Sequence, residues 1–241
     1  GDDGINAEIA MNACELINPD KDRKLTCHIH IYDRELCTLL KERISSTDDS
    51  SSCTLHFFNI FDSGAKALLK EYPPYGEQCP VPHMLVVGVG RMGESLVVQA
   101  AENWHTRHRG TERRLRITLV DKKADVKRES LSLRYSDLET AWELTARQMD
   151  VSSPEFQSGK FLFDAQSRCD VTIIYICLDN DSFGLAVGLT LHKLIKDRNI
   201  PIVVRMTQDA GLAKLLHGVN GKNKFKNLHA FGLLDHLQAQ L

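Results

Sequence analysis

An α/β fold on a parallel sheet is what this sequence predicts, and three observations predict it. From residue 84 onward, β-rich apolar runs alternate with helical ones, the pattern of strand–helix–strand crossovers. In "HMLVVGVGRMGESLVV", residues 83–98, an apolar run passes through three glycines spaced GxGxxG into a helical pattern. Residues 1–70 read as a variation on the chain's own C-terminal half. The expected architecture is therefore a Rossmann-like parallel sheet with helices on both faces, plus a second, partial copy of it.

The partial copy comes first. "DDGINAEIAMNACELI", "CHIHIYDRELCTLL" and "TLHFFNIFDSGAKALL" recur in the same order as "NDSFGLAVGLTLHKLI", "IVVRMTQDAGLAKLL" and "NLHAFGLLDHLQAQL". One such similarity arises easily by chance, whereas three in register argue for an internal repeat. The first copy, residues 1–72, then corresponds to the second half of the domain and starts at the helix after the fourth strand. Half a sheet leaves an edge to be covered, by the second copy, by another subunit or by further sequence. Residues 73–82, within "EYPPYGEQCPVPH", hold four prolines and read as a stiff linker, while "SSTDDSSSC" reads as a loop inside the first copy.

The complete copy spans 83–241. Strands are expected near 84–88, 116–121, 143–149, 170–178, 201–206 and 228–231. Between them helices are expected near 91–104, 126–139, 153–166, 181–197 and 209–217, with a last one opening near 232. Ser153-Pro154-Glu155 is a helix start, with an N-cap serine, a proline at the first helical position and an acid in the first turn. Pro201 falls at a strand's first residue, where its missing N–H costs least.

Composition narrows the function. With 241 residues, 42% of them hydrophobic, the chain can bury a core, and a net charge of −2 gives no global field favouring nucleic acid or an anionic membrane. No apolar run is long enough to span a bilayer, and "GDDGINAEIA" lacks the features of a signal peptide. Seven scattered cysteines, with no CxxC and no Cys/His cluster at zinc spacing, read as reduced thiols of a cytoplasmic protein. His28, His30 and His56 alternate along strands and are expected to face solvent or an interface, not a metal.

The chemistry concentrates at the glycine turn. Gly88 permits the tight strand-to-helix turn, Gly90 lets the backbone approach a pyrophosphate, and Gly93 lets the helix pack on the strand. Helix N–H groups and the helix dipole then favour an anion there. The helix that follows carries Met92, Leu96 and Ala100 on one face. The second strand ends on Asp121, where a carboxylate can accept the adenosine ribose hydroxyls and repel a 2′-phosphate. This favours NAD(H) or an adenine nucleotide over NADP, although Lys122 and Lys123 keep the latter open. Asp121 lies farther along the chain than the usual ~20 residues, because the insertion-like "NWHTRHRGTERRLR" intervenes; its arginines read as a solvated loop or a phosphate contact. Asp150 follows the third strand, and Leu178, Asp179 and Asp181 follow the fourth, at strand ends where open α/β sheets bind ligands. These acids serve equally well as helix caps. Arg205 ends the fifth strand, placed for a ligand phosphate or an interface ion pair. Tyr135 has no lysine four residues on, and GxSxG, HExxH and a Walker lysine are missing, so the expectation is no enzyme.

Taken together, "HMLVVGVGRMGESLV", "ITLVDKKAD", "ARQMDVSSPEF", "CDVTIIYICLDNDSFGLAVGL", "IPIVVRMTQDAGLAKLL" and "LHAFGLLDHLQAQL" resemble the TrkA-N or RCK (regulator of potassium conductance) nucleotide-binding domain over essentially all of 83–241. "DDGINAEIAMNA" resembles that family's segment after the fourth strand, with Asn6 where the second copy has Gly184, and His30 in the position of Arg205. The resemblance implies a regulatory module that binds NAD(H) or an adenine nucleotide (ATP, ADP or AMP). It implies pairing into a dimer or higher homo-oligomer, with no nucleic-acid partner. It also implies control of a membrane-embedded potassium channel or transporter, in the same full-length chain or another, from the cytosolic face. By position it implies a phosphate turn of Gly88, Gly90, Arg91, Met92 and Gly93, a ribose acceptor at Asp121 and adenine neighbours at Lys122 and Asp150. Leu178 and Asp179 would border the ligand's inner face, and Arg205 would reach phosphate or a partner. The alternative is a Rossmann-type NAD-dependent oxidoreductase fragment lacking its substrate domain.

Overall fold

The computed structural model describes residues 2–16, 25–45, 53–75, 82–195, 198–208 and 225–236. The chain divides into two compact units, the boundary falling between Ser63 and Gly64. In the first unit α1 (Asp3–Glu15), β1 (Leu25–His30), α2 (Arg34–Ser45) and β2 (Cys53–Phe58) follow one another, and α3 (Ile60–Glu71) crosses the boundary. β1 and β2 pair in parallel from Leu25 opposite Cys53 to His30 opposite Phe58. Odd-numbered positions point inward: Ile29 and Phe57 pack with Ala10, Ile31 and Cys37 into a small core. His28 and His56 occupy the other face, exposed and stacked at 5.3 Å. The ring of His30 packs among Tyr32, Phe58 and Phe61.

The buried Asn59 ties this unit together. Its amide nitrogen donates to the carbonyls of Ile31 and Tyr32, both at 2.9 Å, and its oxygen accepts from the N–H groups of Phe61 and Asp62. One side chain thus caps α3 and holds the chain leaving β1.

The second unit is built on a six-stranded parallel sheet flanked by helices. Its elements are β3 (His83–Val87), α4 (Arg91–Arg107), β4 (Leu115–Asp121), α5 (Ala124–Arg134), β5 (Trp142–Gln148), α6 (Pro154–Ser158), β6 (Ile173–Ile176), α7 (Asp181–Leu194), β7 (Ile202–Met206) and β8 (Leu228–Gly232). The strand order is β5-β4-β3-β6-β7-β8 and every pair is parallel, the Rossmann-like arrangement the sequence predicts. β3, β6 and β7 are buried along their whole length, as central strands covered on both faces must be. The order reverses at β3, whose neighbours are β4 and β6, so the glycine turn leaves the sheet at its topological switch point.

Several elements differ from the sequence expectation. The helix expected over 153–166 is only α6 followed by a 3-10 turn at Lys160–Leu162, because Gly159 turns left-handed (φ 66°) and stops it. The start was legible: the Ser153 hydroxyl accepts from the Phe156 N–H, with Pro154 at the first helical position. α5 gives way at Tyr135 to a 3-10 turn, Ser136–Leu138. α4 is buried well beyond its Met92-Leu96-Ala100 stripe, on Ser95, Val98 and Gln99 as well. The expected helix at 209–217 lies outside the described residues, and residues 233–236 form turns. Of the linker, 76–81 lie outside the described residues; Pro74 accepts a hydrogen bond from the Thr172 hydroxyl at 3.5 Å. The arginine-rich segment extends α4 to Arg107, whose guanidinium lies over the Tyr75 ring, and closes through Trp104 Nε1 donating to the Arg113 carbonyl. Arg116 pairs with Asp170.

The cysteines depart from the expectation too. Cys14 and Cys53 form a disulfide, while Cys27, Cys37, Cys169 and Cys177 are free thiols. Cys79 lies outside the described residues.

The starting ends of the strands carry a polar knot. His83 Nδ1 lies 2.9 Å from Asp170, and its Nε2 lies 2.8 Å from the Thr118 hydroxyl. Burial pushes the His83 pKa down, against the pull of the Asp170 carboxylate. For Asp170, burial acts upward, but the hydrogen bonds from Arg116 and His83 outweigh it and hold the carboxyl below its usual range. The consistent assignment is a neutral imidazole donating through Nδ1 to an ionised Asp170, with Thr118 donating to Nε2.

Candidate functional site

The three glycines of the turn do three different things. Gly88 has φ 87°, a left-handed conformation, and an added methyl there would meet Leu178 Cδ2 at 2.8 Å and the Cys177 carbonyl at 3.3 Å. Gly93 lies in the first turn of α4, and a methyl on it would stand 2.2 Å from the Gly88 carbonyl oxygen. Helix and strand therefore touch backbone to backbone at this point. Gly90 is the N-cap of α4, with φ −77°, a conformation open to any residue. Around its missing Cβ, no atom of the described residues comes within 4 Å. The first glycine makes the turn, the third makes the packing, and the second faces free space.

Two backbone ties fix the turn. The Gly88 N–H donates to the Val120 carbonyl at 2.9 Å, and the Val89 N–H donates to Asp121 Oδ2 at 2.9 Å. Asp121 Oδ1 accepts from the Lys123 N–H. The end of β4 is thereby latched onto the loop leaving β3, and the carboxylate keeps acceptor capacity for other donors. Gly90 brings α4 no side-chain cap, so this helix start presents its dipole to the free space over the turn.

Beside Asp121, Lys122 and Asp150 reach across from the ends of β4 and β5 and pair at 3.0 Å. The Ser152 N–H and then the Lys122 ammonium hold the exposed Asp150 carboxyl below its usual range. On the opposite side of the turn, Leu178 rests against Gly88. Cys177, under Gly93, is fully buried, and burial pushes its thiol pKa up to about 12. It stays protonated at neutral pH and is no nucleophile.

Arg205 enters from β7 and is only 8% exposed. Its Nη1 donates to the Asp179 carbonyl at 3.0 Å and reaches Asp181 Oδ1 at 3.4 Å. Its buried Nε has no hydrogen-bond partner among the described residues. Arg205 is thus a buried guanidinium paired with the Asp181 carboxylate at the sheet's carboxyl edge, its Nε donor unused among the described residues.

The predicted residues thus fall into three groups. Gly88, Gly90, Gly93 and Asp121 form one turn, closed by hydrogen bonds through Gly88 and Val89 and by contact at Gly88 and Gly93, with Arg91 and Met92 in the helix start above it. Lys122 and Asp150 form a pair beside it, and Leu178, Asp179 and Arg205 lie along the β6–α7 side. The prediction missed the weight of the start of α7. Asn180, not Asp179, is its N-cap, its side chain accepting from the Phe183 N–H. Asp181 accepts from the Thr207 N–H at 2.8 Å and from its hydroxyl at 3.1 Å, clamping α7 to the end of β7. The similar segment at the start of the chain held the signal: Asp2 caps α1, and Asp3 accepts from the Tyr32 and Asp33 N–H groups at 2.7 and 2.9 Å. Asp2-Asp3 and Asn180-Asp181 do the same work with different residues.

Among known protein families, curated proteins and solved structures, the chain has no match.

Proposed function

We propose that residues 83–241 bind NAD(H) or an adenine nucleotide over the glycine turn. In this reading the chain is a ligand-sensing regulatory module of the TrkA-N or RCK type, with no reaction of its own, working as a homo-oligomer at the cytosolic face of a potassium channel or transporter. The observation that carries it is the division of labour among the glycines: sterics compel Gly88 and Gly93, whereas Gly90 borders free space at the start of α4. A pyrophosphate is the group that such a turn at a switch point accommodates. Asp121 supplies the ribose acceptor, and the Lys122–Asp150 pair flanks the adenine. Regulation follows if the ligand binds two arrangements of the assembly with different affinity, which requires no catalysis. Among the described residues no helix is long and apolar enough to cross a membrane, so in this reading the pore belongs to another segment or another chain.

The test is the melting temperature and binding heat of the purified protein with NAD, NADH, ATP, ADP and NADP, repeated in Gly90→Val and Asp121→Ala. Selective binding of nucleotides with an unphosphorylated 2′-hydroxyl, lost in both variants, is the expected result. A well-folded protein that binds none of the five would sink the proposal. Hydride transfer from bound NADH to a carbonyl substrate would replace it with an oxidoreductase.

A further inference from the structure

The first unit holds a site that the nucleotide reading leaves untouched. The sulfur atoms of Cys14, Cys27 and Cys53 all lie within 4.8 Å of one another, and all three residues are half-buried. They come from three elements. On α1, Ala7, Ala10 and Cys14 share the face turned to the strands, at helical spacing. On β1 and β2, Cys27 and Cys53 lie on the core side, with Cys53 opposite Leu25 and Cys27 opposite Leu55. They are therefore diagonal neighbours on one face of the parallel pair. No motif in the sequence marks this cluster, because only the fold assembles it.

We propose that Cys14, Cys27 and Cys53 form a redox-gated site for a thiophilic closed-shell cation such as Zn(II) or Cu(I). The oxidised state is the one described above: Cys14 and Cys53 are joined, and Cys27 stands beside them as a lone thiol. One thiol does not hold such an ion. Reduction by a dithiol transfers two electrons and two protons to the Cys14 and Cys53 sulfurs, and the reductant leaves as its own disulfide. Three thiols then converge on one point. A cation entering there displaces their three protons and takes three thiolates as ligands. Metal–sulfur bonds of about 2.3 Å need sulfurs separated by less than 4 Å, a contraction that side-chain rotation on α1 and β1 supplies. Among the described residues no histidine or carboxylate joins the cluster. The ligand set is therefore all sulfur, which selects soft cations over Mg(II) or Ca(II), and any fourth position is left to water or an external ligand. Metal and disulfide compete for the same two sulfurs. Exchange with an external disulfide, which takes the two electrons from the Cys14 and Cys53 thiolates and leaves as its own dithiol, rejoins them and ejects the ion, while a bound ion protects the thiols.

Cd(II) is the probe, because sulfur-to-cadmium charge-transfer absorption reports the number of thiolates bound. The full chain, reduced and freed of reductant, is expected to take up one Cd(II) per chain with the intensity of three thiolates, and the disulfide form to take up none at this site. Cys27→Ser is expected to lower the intensity of the reduced protein by about a third and the affinity at least tenfold, while leaving the disulfide able to form. Cys79→Ser and Cys169→Ser are expected to change neither. Alkylation of the wild-type chain, mapped by mass spectrometry with and without Zn(II), guards against variants that misfold: bound metal should shield Cys14, Cys27 and Cys53 together. Equal uptake by the disulfide form, absence of stoichiometric uptake by the reduced chain, or protection of other cysteines instead would each overturn the proposal.

Discussion

A methyl group added at Gly93 has nowhere to go, since the Gly88 carbonyl oxygen sits 2.2 Å from the position it would take. Gly93→Ala is therefore expected to lower stability by about 3 kcal/mol or more, the range of substitutions that force backbone apart. At Gly90 the same methyl enters free space on a backbone any residue can adopt. Gly90→Ala is expected to cost about 1 kcal/mol or less, the loss of a good N-cap residue, yet to weaken nucleotide binding at least tenfold. Urea midpoints and binding isotherms of the two variants decide the matter, and equal destabilisation would show that Gly90 is only another packing glycine. A second residue-scale prediction concerns Asn59, which serves two carbonyls and two N–H groups while buried. Asn59→Ala strands all four and is expected to cost about 2–3 kcal/mol, read from the same urea midpoints. The glycine spacing was legible in the sequence because turn chemistry is local, and Asp121 because it closes the second apolar run. Asn59 was not, since nothing in "FFNIFD" says that its partners lie at Ile31 and Tyr32.

At the scale of elements, the knot joining β3, β4 and the start of β6 gives stability a pH dependence of defined sign. His83 is buried and its pKa lies below the ordinary value, so in the unfolded chain it takes up a proton first as pH falls. Its contribution is complete above an unfolded pKa of about 6.5 and declines below that, down to the lower folded pKa. Urea midpoints measured from about pH 8 to pH 5 should fall more steeply for the wild-type chain than for His83→Gln. Parallel slopes would mean that the folded and unfolded states bind the proton alike. Strand existence and order were legible because apolar runs of β-branched residues alternate with helical periodicity over the whole of 83–206. The length of α6 was not. Gly159 sits inside a pattern that continues to look helical, and its left-handed turn is packed against Leu194, a residue far along the chain. The thiol cluster escaped for the same reason, as its three sulfurs come from α1, β1 and β2.

For the whole molecule, the nucleotide reading makes a thermodynamic demand. A ligand that binds only the folded chain and is present at about a hundred times its Kd adds roughly 2.7 kcal/mol, which for a chain of this size raises the melting temperature by about 5–10 °C. Differential scanning calorimetry with NAD and ADP should show that shift in the wild-type chain and lose it in Gly90→Val. At this scale three similar segments in order read as an internal repeat, and the structure pairs β1 with β2 and β7 with β8, each in parallel, with α1 ahead of the first pair and α7 ahead of the second. The acids at the starts of α1 and α7 carry this further. Asp2 and Asp3 repeat the tasks of Asn180 and Asp181, while the residues around them differ, Asn6 standing where the other copy has Gly184 and His30 where it has Arg205. Residues 2–63 hold no glycine turn, yet they keep the clamp. What the two units share is thus the joint between helix and strand, not the glycine turn, so the clamp folds the same way whatever surrounds it.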